Sequence, residues 1–135
     1  MKKPPQAMLN AATAVIKNAY APYSHFHVAT CVRSESGQLF FGCNVENASY
    51  STTICAETSA LGALFAAGFR KVTEALILVE HKKLCPPCGA CRQRLSECAN
   101  ENTVIHLCNT NGDYAHYTLQ QLLPHAFDQN NLRPS

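Results

Sequence analysis

The sequence predicts an α/β protein in three layers, a sheet covered by helices on both faces. Three observations point there. Met8, Ala11, Ala12, Val15, Ile16 and Ala19 recur with helical spacing near the start. Ala75-Leu76-Ile77-Leu78-Val79 is a short apolar run between charged neighbours, which suits a central strand buried on both faces. Strand-like and helix-like segments follow one another in the order α-β-β-α-β-α-β-β-α.

The first helix covers about residues 5–20, and Ala21-Pro22-Tyr23-Ser24 breaks it. Residues 26–33 and 38–45 read as two strands joined by a turn at Ser36-Gly37. A Ser/Thr-rich loop spans 47–53, and 55–67 reads as an Ala/Leu-rich helix stopped by Gly68. The apolar run at 75–79 is the next strand. A loop holding Pro86 and Pro87 leads into a helix at about 89–99. Residues 104–108 form a strand, 114–118 an edge strand and 119–123 a short helix. There is no repeat, low-complexity tract or linker, so residues 1–135 read as a single domain.

Charge excludes some partners. Eleven basic and nine acidic residues leave a formal net charge of +2, dispersed along the chain. That balance argues against a nucleic-acid track or an anionic membrane surface. No apolar stretch approaches the length that crosses a bilayer. Lys2 and Lys3 are followed by Pro4 and Pro5 rather than by an apolar signal segment, so the chain reads as cytoplasmic. Close cysteine pairs in such a protein suggest metal or redox chemistry more than disulfides. Of the eight cysteines, Cys31, Cys43, Cys98 and Cys108 lie in apolar or helical stretches and read as small buried hydrophobes. The six histidines have no partner at ligand spacing and read as surface or structural residues.

Two segments carry the chemistry: Cys55-Ala56-Glu57 and Pro87-Cys88-Gly89-Ala90-Cys91-Arg92. Each falls where a loop passes into a helix. Unpaired N–H groups there carry partial positive charge and favour thiolates, the form of cysteine that binds zinc. A Cys-x-x-Cys turn at a helix start brings Cys88 and Cys91 to one side, and Cys55 is the natural third ligand. Three protein ligands leave the fourth tetrahedral position open, as in catalytic zinc sites. Glu57 lies within reach of that position without being a ligand, placed to take a proton from water and return it to a leaving group. The reaction class is hydrolytic attack on an electrophilic carbon with loss of an amine. Cys85 offers a rival: as a fourth ligand it would close the site and make the zinc structural.

These segments resemble the zinc nucleoside deaminases. The length and the three-cysteine ligand set are similar to the small homotetrameric cytidine deaminases, and the resemblance covers nearly the whole chain. Ala21-Pro22-Tyr23-Ser24-His25-Phe26 looks like that family's early segment. Gly42-Cys43-Asn44-Val45-Glu46-Asn47-Ala48-Ser49-Tyr50 looks like its ribose-binding segment. Leu122-Leu123-Pro124-His125-Ala126-Phe127 resembles its C-terminal signature. The resemblance implies a mixed five-stranded sheet, one Zn²⁺ per subunit, and a tetramer with shared active sites. It implies deamination of cytidine and 2′-deoxycytidine in pyrimidine salvage, by zinc hydroxide attacking C4 with Glu57 shuttling protons. Asn44 and Glu46 would bond the ribose 3′ hydroxyl. Phe26 would pack on the pyrimidine, and Phe127 of a neighbouring subunit would stack on it. Tyr50 would lie near an adjacent subunit's sugar. The Ala56 backbone would contact the cytosine oxygen, and the Pro86 carbonyl would receive the departing amine. Another aminated heterocycle, such as a cytosine-containing antibiotic, is the rival substrate.

One residue departs from the family pattern: Thr58 stands where the family usually has Arg directly after the glutamate. Zn²⁺ with three thiolates carries a net charge of −1, which the family arginine offsets. Two helix N-termini supply about +0.5 each. Together they offset roughly one charge; Thr58 can still donate one neutral hydrogen bond, and Arg92 and Arg94 are candidates to help. The expectation is an active enzyme whose water ionises less readily.

Overall fold

The computed structural model describes residues 3–134. Five strands form one sheet in the order β2-β1-β3-β4-β5: β1 (Val28–Ser34), β2 (Leu39–Cys43), β3 (Val72–Val79), β4 (Val104–Asn109) and β5 (Tyr114–Thr118). β3 and β4 pair in parallel and the other neighbours are antiparallel, so the sheet is mixed. The helices are α1 (Gln6–Ile16), α2 (Ala56–Ala66), α3 (Gly89–Cys98) and α4 (Leu119–Leu122).

Alternation along β3 sorts the layers. Leu76 and Leu78 point to one face and pack with Ala29, Cys31 and Cys108 beneath Met8, Ala12 and Ile16 of α1. Ala75, Ile77 and Val79 point to the other face, where Ala60, Leu61 and Leu64 of α2, Leu95 and Cys98 of α3 and Leu119 of α4 cover them. The expected three layers are present, and both faces of β3 are buried.

Strand direction places the site. β2 and β3 are each antiparallel to β1, so they run the same way. α2 follows β2 and α3 follows β3. Both helices therefore begin near the carboxyl ends of these strands, where open α/β sheets bind ligands. Gly42 of β2 brings α2 close. A Cβ added there would lie 2.6 Å from the Ser59 Cβ and 2.7 Å from the Ala60 backbone nitrogen.

Several boundaries differ from expectation. α1 stops at Ile16 because Tyr20 is drawn out to bridge Val45. β1 starts at Val28, after His25 takes a left-handed φ of 58°. β2 ends at Cys43, where the Asn44 side chain begins to bond backbone across the turn. β3 starts earlier, at Val72. Its Glu74 bonds Arg33 at 3.2 Å and His106 at 2.6 Å, which seats a charged residue in a strand. His106 is fully buried and also bonds the Tyr114 hydroxyl, so it is a core histidine. The Ser/Thr-rich loop carries a 3₁₀ turn at Tyr50–Thr52, and a second 3₁₀ turn forms at Gln129–Leu132.

Candidate active site

Cys55 is the N-cap residue of α2 and Cys88 that of α3, with Cys91 in the first turn of α3. Their three sulfurs lie within 4.8 Å of one another. Tetrahedral zinc with Zn–S bonds of about 2.3 Å requires sulfurs about 3.8 Å apart, so this donor set fits the ion after a small contraction. Electrostatics agree. Burial raises the Cys55 and Cys91 thiols, and the Glu57 carboxylate adds to the rise at Cys91. Burial acts in the same direction on Cys88, but the Cys91 backbone N–H and the neighbouring thiols outweigh it and bring Cys88 below its usual value. Three crowded sulfurs beside a carboxylate need a cation to hold them all ionised.

Cys85 lies outside this cluster, and its thiol is directed to the Lys83 carbonyl at 3.8 Å. Among the described residues the cluster therefore has three cysteines, which is the arrangement that leaves a coordination position open. Cys31, Cys98 and Cys108 are buried, and burial pushes each thiol up to about 11. They are inert core residues. Cys43 is half-buried and also raised by burial.

A cavity of about 210 Å³ borders the cluster, lined among others by Phe26, Asn44, Cys55, Ala56, Glu57 and Pro86. Glu57 is 5% exposed and accepts a hydrogen bond from the Thr30 hydroxyl at 3.0 Å. Sequence reasoning missed Thr30, whose place in an apolar strand gave no signal. Phe26 meets His81 edge to face at 5.6 Å between ring centres.

The other expected binding residues divide. The Asn44 amide donates to the Phe26 carbonyl at 2.8 Å and accepts from the Val28 N–H at 3.0 Å, fixing the wall on which Phe26 sits. Glu46 accepts bonds from the Tyr23 and Ser24 N–H groups and from the Ser24 hydroxyl. The Ser24 hydroxyl is foremost in holding its carboxyl below the usual range. Glu46, Tyr50 and Phe127 are not in this cavity wall. Tyr50 and Phe127 are 66% and 56% exposed, although the Phe127 carbonyl is anchored by Gln93 at 2.9 Å.

The Thr58 hydroxyl is buried without a hydrogen-bond partner among the described residues. Of the two candidate arginines, Arg92 is engaged by the Pro87 and Leu122 carbonyls, each at 2.7 Å. Arg94 Nη1 points to Cys91 Sγ at 3.9 Å.

Three clustered cysteines with a buried carboxylate, set at helix N-termini over a mixed sheet, have the make-up of a hydrolytic zinc enzyme. Residues 2–107 match the family model described as the cytidine and deoxycytidylate deaminase zinc-binding region. Cytidine deaminase of Halalkalibacterium halodurans is 38% identical over 122 residues, which is 90% of this chain and 92% of that one. The crystal structure of cytidine deaminase from Burkholderia pseudomallei superposes with a TM-score of 0.86 at 40% identity, covering 92% of this chain and 99% of that one. Cytidine deaminase from Mycobacterium tuberculosis gives 0.79 at 34% identity, covering 91% and 96%. The chain belongs to the cytidine and deoxycytidylate deaminase zinc-binding family, and its metal is Zn²⁺.

Proposed function

We propose that this protein hydrolyses cytidine and 2′-deoxycytidine to uridine and 2′-deoxyuridine, releasing ammonia, in pyrimidine salvage. The observation that carries the reading is a buried Glu57 carboxylate that shares a cavity wall with Cys55 and Cys88, beside the cluster these two form with Cys91. Zinc held by Cys55, Cys88 and Cys91 supplies a Lewis acid that makes water nucleophilic near neutral pH. Glu57 moves the protons: it takes one from water and delivers it to the ring nitrogen N3, then takes the second from the hydroxyl added at C4 and passes it to the departing amine. Phe26 is the wall against which the pyrimidine packs, and Asn44 holds that wall in place while facing the cavity. The Ala56 N–H contacts the base oxygen and the Pro86 carbonyl receives the amine. Asn44 on the cavity wall, and Glu46 two residues further on and outside that wall, would together bond the ribose 3′ hydroxyl, since polar groups built for a hydroxyl reject ligands lacking it.

Residues 1–135 act as one deaminase domain within a homotetramer, in which Phe127 and Tyr50 of neighbouring subunits complete each cavity. The exposure of both rings in the single chain supports this arrangement. The eight cysteines are free, in keeping with a cytoplasmic protein. Among the described residues no helix is long and apolar enough to cross a membrane. The test is ammonia release from cytidine by the purified protein, beside Glu57→Gln of equal zinc content. Turnover should fall by roughly two to four orders of magnitude in the variant. Equal turnover would remove Glu57 from the reaction.

A further inference from the structure

We propose that Thr30 is the positioning residue for Glu57, a role that rests on the proton-carrying function given to Glu57 above. Thr30 lies in the middle of β1, paired with Gly42 on one side and Ile77 on the other. It faces α2, as do Val28 and Val32 two residues away on either side. A β-branched apolar residue would satisfy that surface. Thr30 instead carries a hydroxyl, wholly buried, whose oxygen is 3.0 Å from Glu57 Oε1.

The bond is long-range, joining residues 27 apart in the chain. It depends on how close α2 sits to the sheet, and the missing side chain at Gly42 sets that distance. Its chemistry suits a proton carrier. Glu57 must be a carboxylate at one stage and a carboxylic acid at the next. A lysine or backbone N–H can only donate, so it would favour the charged form throughout. A hydroxyl donates to the carboxylate and, after rotating, accepts from the acid. Thr30 therefore keeps one partner for Glu57 in both states and fixes the orientation of its carboxyl group. A buried carboxylate without that partner would turn within the pocket, and proton transfer is sensitive to such misplacement.

The test compares Thr30→Val, which removes the hydroxyl at nearly constant volume, with Thr30→Ser, which keeps it and removes the methyl. Glu57→Gln is measured in parallel, and zinc per subunit is determined for all. The expected result is a loss of roughly tenfold or more in kcat for Thr30→Val, with KM within about twofold, zinc content unchanged, and most of the rate recovered in Thr30→Ser. Wild-type kcat in Thr30→Val while Glu57→Gln is inactive would overturn the role of Thr30 and leave that of Glu57 standing. Equal impairment of the Val and Ser variants would also overturn it, because packing rather than the hydroxyl would then be responsible. An active Glu57→Gln enzyme would sink both roles together.

Discussion

Replacing Gly42 by Ala tests whether the approach of α2 to the sheet sets the geometry of the site. The new Cβ would sit 2.6 Å from the Ser59 Cβ, 2.7 Å from the Ala60 nitrogen and 2.9 Å from the Ser59 carbonyl carbon. Two of these atoms are helix backbone, so no side-chain rotation relieves the clash. Carbon atoms settle near 3.5–4.0 Å, so α2 must withdraw by about 1 Å. Overpacking of this kind costs about 1–3 kcal/mol, partly offset because Ala is the better strand residue. The first turn of α2 carries Glu57, and Cys55 caps it. A displacement of about 1 Å along the Thr30–Glu57 contact takes it out of hydrogen-bond range. Misplacement on that scale can cost a reaction roughly a hundredfold in rate. Urea unfolding should show the loss of stability, and steady-state kinetics on zinc-loaded protein the loss in kcat. A Gly42→Ala variant with unchanged unfolding midpoint and unchanged kcat would refute the account of how α2 is seated.

Three other outcomes follow from the same geometry. Glu46 has a folded pKa below its unfolded value, so the stability it contributes is fully present above the ordinary carboxylate range and is lost as pH falls below about 4.5 through the folded pKa. Ser24→Ala should flatten that part of the stability–pH curve, and an unchanged curve would show that the Ser24 hydroxyl is not responsible. Arg94→Gln removes the cation directed at Cys91 and should weaken zinc retention in chelator competition by roughly tenfold; equal retention would show that the helix termini suffice. Phe127→Ala should raise KM for cytidine with zinc in place, and an unchanged KM would end the shared-site reading.

Much of the site was legible because its pieces are local. Cys55 with Glu57, and Cys88 with Cys91, are two and three residues apart at helix starts, where backbone geometry and the helix dipole alone dictate what they face. The fold class was legible from the same kind of signal, since the run at 75–79 and the heptad-like spacing at 8–19 record which faces are buried. Individual boundaries were less so: Glu74 hid the start of β3, because its partners Arg33 and His106 come from other strands. The stiff Pro86-Pro87 turn already weighed against Cys85 as a fourth ligand, but the sequence could name Arg92 and Arg94 without choosing between them. That choice depended on where the loop before α3 and each arginine side chain come to rest. Thr30 was invisible for the same reason. Its hydroxyl acquires a purpose only when strand register and the bare backbone at Gly42 bring Glu57 against it. Local spacing determines which chemical groups are available, whereas contacts between residues distant in the chain depend on register and packing, which no short stretch of sequence encodes.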